Sequence, residues 1–334
     1  MIKKIYGYLL IMTLLVTASP LISFGQTTET PGNFLEMSIS PENPQPRQDV
    51  QINLQSFFYD LDRSTITWSV NGQNKKTEVG AKVFDVIAGK NGTKTTIKAS
   101  VITPNDGTKD ISISFVPAEV DLIYESLSYT PPFYKGKSLN PKQGTVRVTA
   151  IPNLIGTNGL RLSIKNIIYT WKKDGSTQGS ASGLGKNTFT FTGEVPIRDA
   201  RIEVTASSPD NTVSAVNSIN IINTTPKIVF YENSPIYGVL YGRAVLGTVK
   251  MFTDEFSVVA TPYFFSNIST SSTDLKYTWS VNDQTVPNQD PENSFTTKLL
   301  KTGSGKANIE LGLENNINIF QKTTSNYNIN FMKK

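Results

Sequence analysis

Apolar and polar residues alternate along most of this chain in short runs separated by Gly, Asn, Asp and Pro. Val50-Gln51-Ile52-Asn53-Leu54, Val146-Arg147-Val148-Thr149-Ala150 and Phe256-Ser257-Val258-Val259-Ala260 are three such runs. A period of two sends every second side chain to one face of an extended strand. Thr, Ser, Asn, Val and Ile dominate, and long stretches of helix-forming Ala, Leu and Glu are missing. The pattern therefore predicts an all-β chain in which each strand buries one face against a second sheet.

The pattern also repeats. The three tryptophans sit in similar phrases: Ile66-Thr67-Trp68-Ser69-Val70-Asn71-Gly72, Ile168-Tyr169-Thr170-Trp171-Lys172-Lys173-Asp174-Gly175, and Leu275-Lys276-Tyr277-Thr278-Trp279-Ser280-Val281-Asn282-Asp283. Each reads as a strand that ends in a hairpin turn. A phenylalanine-bearing strand follows, at Phe84, Phe189 and Phe295, offset by 16, 18 and 16 residues. An alternating strand comes next, its isoleucine (Ile97, Ile202, Ile309) lying 29, 31 and 30 residues past the tryptophan. Asn153–Lys165 and Ser266–Asp274 read as loop insertions in the later copies, and Leu122–Glu125 echoes Val229–Glu232. The repeat predicts about three tandem domains at 30–116, 117–225 and 226–334, joined at Val116-Pro117 and Thr225-Pro226. Short proline-bearing junctions favour stiff tandem packing over free linkers. Trp68, Trp171 and Trp279 are the expected core fillers between the two sheets of each unit, not a sugar-stacking platform.

A tryptophan strand, a polar hairpin and two further alternating strands in each unit resemble bacterial immunoglobulin-like and PKD-like domains. Tyr277-Thr278-Trp279-Ser280-Val281-Asn282 is the phrase nearest to the PKD-like tryptophan strand. The resemblance covers most of residues 30–334. It implies a β-sandwich that serves surface proteins as spacer, adhesion module or accessory unit, and it brings no catalytic residue with it.

Composition narrows the chemistry. The chain has 334 residues, of which 38% are apolar, and it contains no His and no Cys. Without Cys there is no disulfide, thiolate–zinc site or thiol nucleophile. Without His the commonest general base and metal ligand are missing, and so is any Ser-His-Asp triad. Lys3 and Lys4 supply two of the net +5 charges, leaving +3 spread among acids, with no basic run of the kind nucleic acid requires. Met1-Ile2-Lys3-Lys4, the apolar run Ile5–Ala18, Pro20 and Ser23-Phe24-Gly25 before Gln26 read as an export signal over residues 1–25. Left uncleaved, Ile5–Phe24 is long enough to span a bilayer as an anchor.

Among candidate sites, Tyr129-Thr130-Pro131-Pro132-Phe133-Tyr134-Lys135-Gly136-Lys137 stands out. Its prolines hold it extended, and aromatics on a rigid extended segment suit partner recognition. The plainer reading is that these edge segments pack on their own sandwich or seal the junction between domains. Tyr237 and Tyr241, near Tyr231, are the counterpart in the third unit, and Phe264-Phe265 is a further candidate for exposed apolar surface, with core packing as its plainer reading. Asp60-Leu61-Asp62, Asn105-Asp106, Asp210-Asn211 and Asp290–Asn293 each offer too few oxygens for calcium and read as turns. Ser180–Lys186 and Thr302–Lys306 lack phosphate-loop spacing. The expectation is a non-enzymatic extracytoplasmic scaffold or adhesion protein, secreted or at the cell surface, that needs no cofactor or metal. Its expected partners are envelope or surface proteins or glycans, with no nucleic acid and with membrane contact only through the amino terminus. A tethered accessory subunit of a pilus or secretion apparatus is the alternative, and a carboxylate-dependent glycan hydrolase is a distant third.

Overall fold

In Thr95–Thr103 every second residue is buried, and Ile97, Ala99 and Val101 have no exposed surface. That alternation recurs in strand after strand of the computed structural model, which describes residues 34–131, 133–156, 158–266, 269–299 and 304–332. The export segment over 1–25 and Pro132 lie outside the described residues.

The first unit contains β1 (Leu35–Ser40), β2 (Asp49–Ser56), β3 (Thr65–Val70), β4 (Gln73–Val79), β5 (Val83–Ile87), β6 (Thr95–Thr103) and β7 (Gly107–Phe115). Its two sheets have the orders β1-β2-β5 and β4-β3-β6-β7. The second unit contains β8 (Glu119–Ser126), β9 (Thr145–Asn153), β10 (Ile168–Lys173), β11 (Ser176–Thr177), β12 (Gly183–Leu184), β13 (Thr188–Thr192), β14 (Ala200–Ser207) and β15 (Ser214–Ile221). Here the orders are β13-β9-β8 and β11-β10-β14-β15, with β12 paired to β10. The third unit contains β16 (Lys227–Ser234), β17 (Gly238–Val245), β18 (Thr248–Met251), β19 (Glu255–Tyr263), β20 (Leu275–Val281), β21 (Gln284–Val286), β22 (Ser294–Lys298), β23 (Gly305–Asn315) and β24 (Lys322–Phe331). Its sheets run β17-β16-β19-β22 and β18-β24-β23-β20-β21, and β18 lies parallel to β24. The chain is thus a tandem of immunoglobulin-like β-sandwiches, each with its own apolar core.

The repeated landmarks meet in space. Trp68, Trp171 and Trp279 are fully buried, and each ring lies on the phenylalanine that follows it in sequence. The centroid separations are 5.2 Å to Phe84, 5.8 Å to Phe189 and 4.8 Å to Phe295. Each indole N–H donates to a backbone carbonyl just ahead of that phenylalanine strand: Ala81 at 2.8 Å, Lys186 at 2.9 Å and Glu292 at 2.9 Å. One side chain therefore fills the core and ties the two sheets together.

The turn after each tryptophan strand has a second task. Asn71, Asp174 and Asn282 adopt left-handed backbone, with φ of 48°, 50° and 49°. Each side-chain Oδ1 accepts the N–H of a residue in the next core strand: Thr96 at 2.8 Å, Arg201 at 2.8 Å and Asn308 at 2.9 Å. Their own N–H groups donate to the carbonyls of the same three residues. Asx residues tolerate this conformation and carry the acceptor the clasp needs, which explains the residue choice.

Candidate functional site

The described residues contain no cluster of three or more Asp or Glu placed to hold a metal. Asp60 pairs with Arg63 at 3.6 Å and Asp62 with Lys82 at 2.9 Å on the exposed surface. The densest gathering of aromatic and polar groups lies between the second and third units, where the segment singled out in sequence meets the third sandwich.

Residues 127–144 connect β8 to β9, two strands that pair directly. The segment braces itself first. The Ser128 hydroxyl lies 2.7 Å from that of Ser138 and donates to the Leu139 carbonyl at 2.9 Å, and the Tyr134 N–H closes a turn onto the Pro131 carbonyl at 2.9 Å. Lys137 places its ammonium over the ring of Tyr124, 3.0 Å from the centroid. Burial lowers the pKa of that ammonium.

The braced segment then docks. The Tyr129 N–H donates to the Phe265 carbonyl at 2.9 Å, and the Tyr129 carbonyl accepts the Phe264 N–H at 3.3 Å. Phe133 lies against Tyr241, at 4.1 Å between centroids, and against Tyr231 at 5.9 Å. Tyr134 meets Tyr263 at 5.7 Å and Phe264 at 6.0 Å. Beneath them the Tyr231 and Tyr263 hydroxyls share a buried hydrogen bond of 2.9 Å. Phe264 has φ of 61°, unusual for a bulky residue, and the hydrogen bonds that its N–H and the Phe265 carbonyl make to the Tyr129 backbone flank it.

Of the aromatic residues expected to face a partner, Tyr129, Phe133, Tyr134 and Tyr241 therefore gather against one another across two units of this chain. Pro131 is buried, and Tyr129, Phe133 and Tyr134 are half-buried. Tyr237 is set apart, exposed in the turn between β16 and β17. Phe264-Phe265 is not exposed apolar surface: Phe265 belongs to the third core, and Phe264 is covered by Tyr134 and Tyr263.

Sequence reasoning missed the residue that closes this junction. The Gln321 amide donates to the Lys142 carbonyl of the second unit at 2.6 Å and to the Ser266 hydroxyl at 2.8 Å. Its carbonyl oxygen accepts the Ser266 N–H at 2.8 Å and the Asn315 amide at 3.4 Å. Next to it the Phe320 N–H donates to Gln143 Oε1 at 3.1 Å. No spacing rule marks a lone glutamine ahead of a terminal strand. The first two units also touch. Asn91 Nδ2 donates to the Asn153 carbonyl at 2.9 Å, and Gly92, at φ 75°, lies so close to Ile155 that a Cβ would collide with it.

Electrostatics follow from this packing. Burial pushes the Tyr129 phenol above its ordinary value, and the neighbouring Tyr241 adds to the shift. Burial does the same for Tyr263, reinforced by the hydrogen bond to Tyr231. A phenol that holds its proton longer folded than unfolded stabilises the fold fully below the free-phenol value, about 10. That contribution is lost as pH rises through the higher folded value. Urea midpoints are therefore expected to be level from neutral pH to about 9.5 and to fall above 10. A midpoint unchanged at pH 11 would contradict the buried placement of these phenols.

No family model matches the chain, and no curated protein matches it. Among solved structures it is similar to the fibronectin(III)-like modules of Clostridium thermocellum CbhA, at 11% identity over 57% of this chain and 94% of that one, with a TM-score of 0.27. It is also similar to the three N-terminal domains of the outer capsid protein Hoc of bacteriophage RB49, at 12% identity over 90% and 99%, with a TM-score of 0.27. Sidekick-1 immunoglobulin domains 1–4 match at 8% identity over 90% and 76%, with a TM-score of 0.23. All three are tandem arrays of small domains, and the likeness goes no further than that.

Proposed function

We propose that this chain is a non-enzymatic extracytoplasmic scaffold: a stack of immunoglobulin-like domains that holds its outer units at a fixed distance and angle from the cell envelope. The observation that carries this reading is the junction built from Tyr129, Phe133, Tyr134 and Gln321, which spends the chain's most elaborate surface on fixing one unit against the next. Domains joined through small, polar contacts move relative to one another by default, and an aromatic, hydrogen-bonded junction opposes that motion. Each sandwich interior is filled by its own core, a packing suited to a spacer. The absence of His from the whole sequence supports the non-enzymatic reading. The PKD-like affinity of the tryptophan strands belongs to the same reading, since Asn and Asp stand at each of the three turns. Contact with envelope proteins or glycans would then fall to edge strands and exposed turns such as Tyr237.

One observation favours the tethered form of this scaffold, an accessory subunit of an envelope assembly. The chain enters the first sandwich at Phe34, at the pole away from the second unit, so an anchor at residues 5–24 would leave the stack pointing outward. Fractionation of the native host with intact-mass measurement, together with external protease on whole cells, tests both statements. Protein in the envelope or medium that is cut from outside is the expected result. Protein confined to the cytoplasm overturns the reading, and a mass starting near Gln26 overturns the tethered form alone.

A further inference from the structure

The pole of the first sandwich that lies away from the second unit carries an aromatic tip that the other described residues leave exposed. Phe57 is 94% exposed, Phe58 61% and Phe34 52%. Phe34 and Phe58 are held by ring contacts, and Phe57 projects beside them. Phe34 stacks on Phe58 with centroids 4.6 Å apart, and Phe58 meets Tyr59 edge-on at 5.0 Å. The Ser56 hydroxyl accepts the N–H groups of Phe58 at 3.1 Å and Tyr59 at 2.9 Å, so the turn that projects both phenylalanines is hydrogen-bonded into shape. Tyr59 is buried beneath, with the Lys109 ammonium 5.8 Å from its ring centroid. Single exposed apolar residues are ordinary, but a stacked Phe34–Phe58 pair beside a third, projecting ring, Phe57, at one tip is not.

We infer that this tip docks into the interfacial layer of the membrane that holds the chain's own amino-terminal apolar run. The inference rests on the tethered form of the reading above. Its occupant follows from where the chain outside the described residues attaches. Ile5–Phe24 is of bilayer-spanning length, and only residues 25–33 separate it from Phe34. Nine residues reach at most about 32 Å when fully extended. A tether that short keeps the tip at a high local concentration near the surface, so a weak insertion suffices. Phe34 is both the first described residue and a member of the tip, so the aromatic surface continues directly from the tether. The opposite pole faces the second unit, where the Ala118 N–H donates to the Pro44 carbonyl and the Gly92 N–H to the Pro117 carbonyl. Docking through Phe57 and Phe58 therefore leaves the rest of the stack free to project. Anchor and tip together fix two points at the surface, which sets the tilt of the first sandwich where a single flexible tether would not.

The absence of cysteine gives a clean test. Full-length protein carrying Phe57→Cys, labelled with an environment-sensitive NBD dye, is reconstituted into phosphatidylethanolamine–phosphatidylglycerol vesicles with or without brominated acyl chains. Ile236→Cys, at an 83% exposed turn of the third unit, serves as the reference. The expected result is blue-shifted emission at position 57, quenched severalfold more by bromine than at position 236. Water-like emission at 57 from protein that floats with the vesicles overturns docking and leaves the tether standing. Blue-shifted emission without bromine quenching means contact with a second copy and also overturns it. Protein that does not float at all removes both the tether and the inference built on it.

Discussion

Replacing Trp171 by Ala is expected to cost the second sandwich about 3–5 kcal/mol, the usual range for emptying a large aromatic site in a packed core. A domain of this size has about 5–15 kcal/mol to lose, so the second unit should unfold at clearly lower urea than in the parent chain. The ring has no exposed surface, packs on Phe189 and lies inside a cluster with Val148, Ile202 and Val204. The effect should have two separable parts. Trp171→Phe restores most of the apolar volume but leaves the Lys186 carbonyl without the indole N–H, at a cost of about 1–3 kcal/mol. The expected order of urea midpoints is therefore parent, then Phe, then Ala. Equal midpoints for parent and Phe would remove the hydrogen bond from the account, and an unchanged midpoint for Ala would sink the core assignment itself. The equivalents at Trp68 and Trp279 share the stack and the bond, so the same ordering is expected in units one and three.

The parts of the fold that were legible in the sequence are those that repeat with the period of the structure. Two-residue alternation marks strand faces because one face must meet the opposite sheet, and three near-constant spacings mark Trp–Phe–Ile triplets because all three residues enter one core. The asparagines and aspartate at the turns were visible as turn formers. Their bond to the following core strand was not, since the partner is a backbone N–H 25 to 27 residues away that no side-chain pattern announces. The surroundings of Phe264-Phe265 were hidden for a related reason. An apolar pair at the edge of a loop insertion can be read as core or surface, and what settles it here includes backbone hydrogen bonds to Tyr129 in another unit. The Phe57-Phe58 tip was missed because two apolar residues at a strand end look the same in sequence whether they cap a core or face solvent. Contacts between units are settled by how sandwiches stack, and strand periodicity carries no information about stacking.

Gln321→Ala is expected to disconnect the second unit from the third while leaving both sandwiches folded. The side chain has no exposed surface, and its amide has two donor hydrogens and two acceptor lone pairs, all engaged. Truncation leaves the Lys142 carbonyl and the Ser266 N–H without their partner, which costs about 2–6 kcal/mol if each orphaned group contributes its usual 1–3. The loss falls where the units touch, since Lys142 lies in the segment from β8 to β9 and Ser266 in the loop after β19. The isosteric Gln321→Glu separates shape from bonding. It fills the same space, but its ionised carboxylate presents only acceptors to the Lys142 carbonyl, so it should disconnect the units at least as fully as Ala at neutral pH. Gln143→Ala, which removes only the exposed bond to the Phe320 N–H, should change little. Small-angle scattering reads the difference directly: a single fixed arrangement for the parent and Gln143→Ala, and a broadened distribution of lengths for both Gln321 variants. If both Gln321 variants kept the parent profile, the ring contacts of Phe133 and Tyr134 would hold the stack without the glutamine. If the parent itself scattered as a flexible chain, the proposal that this protein sets a fixed distance from the envelope would fall.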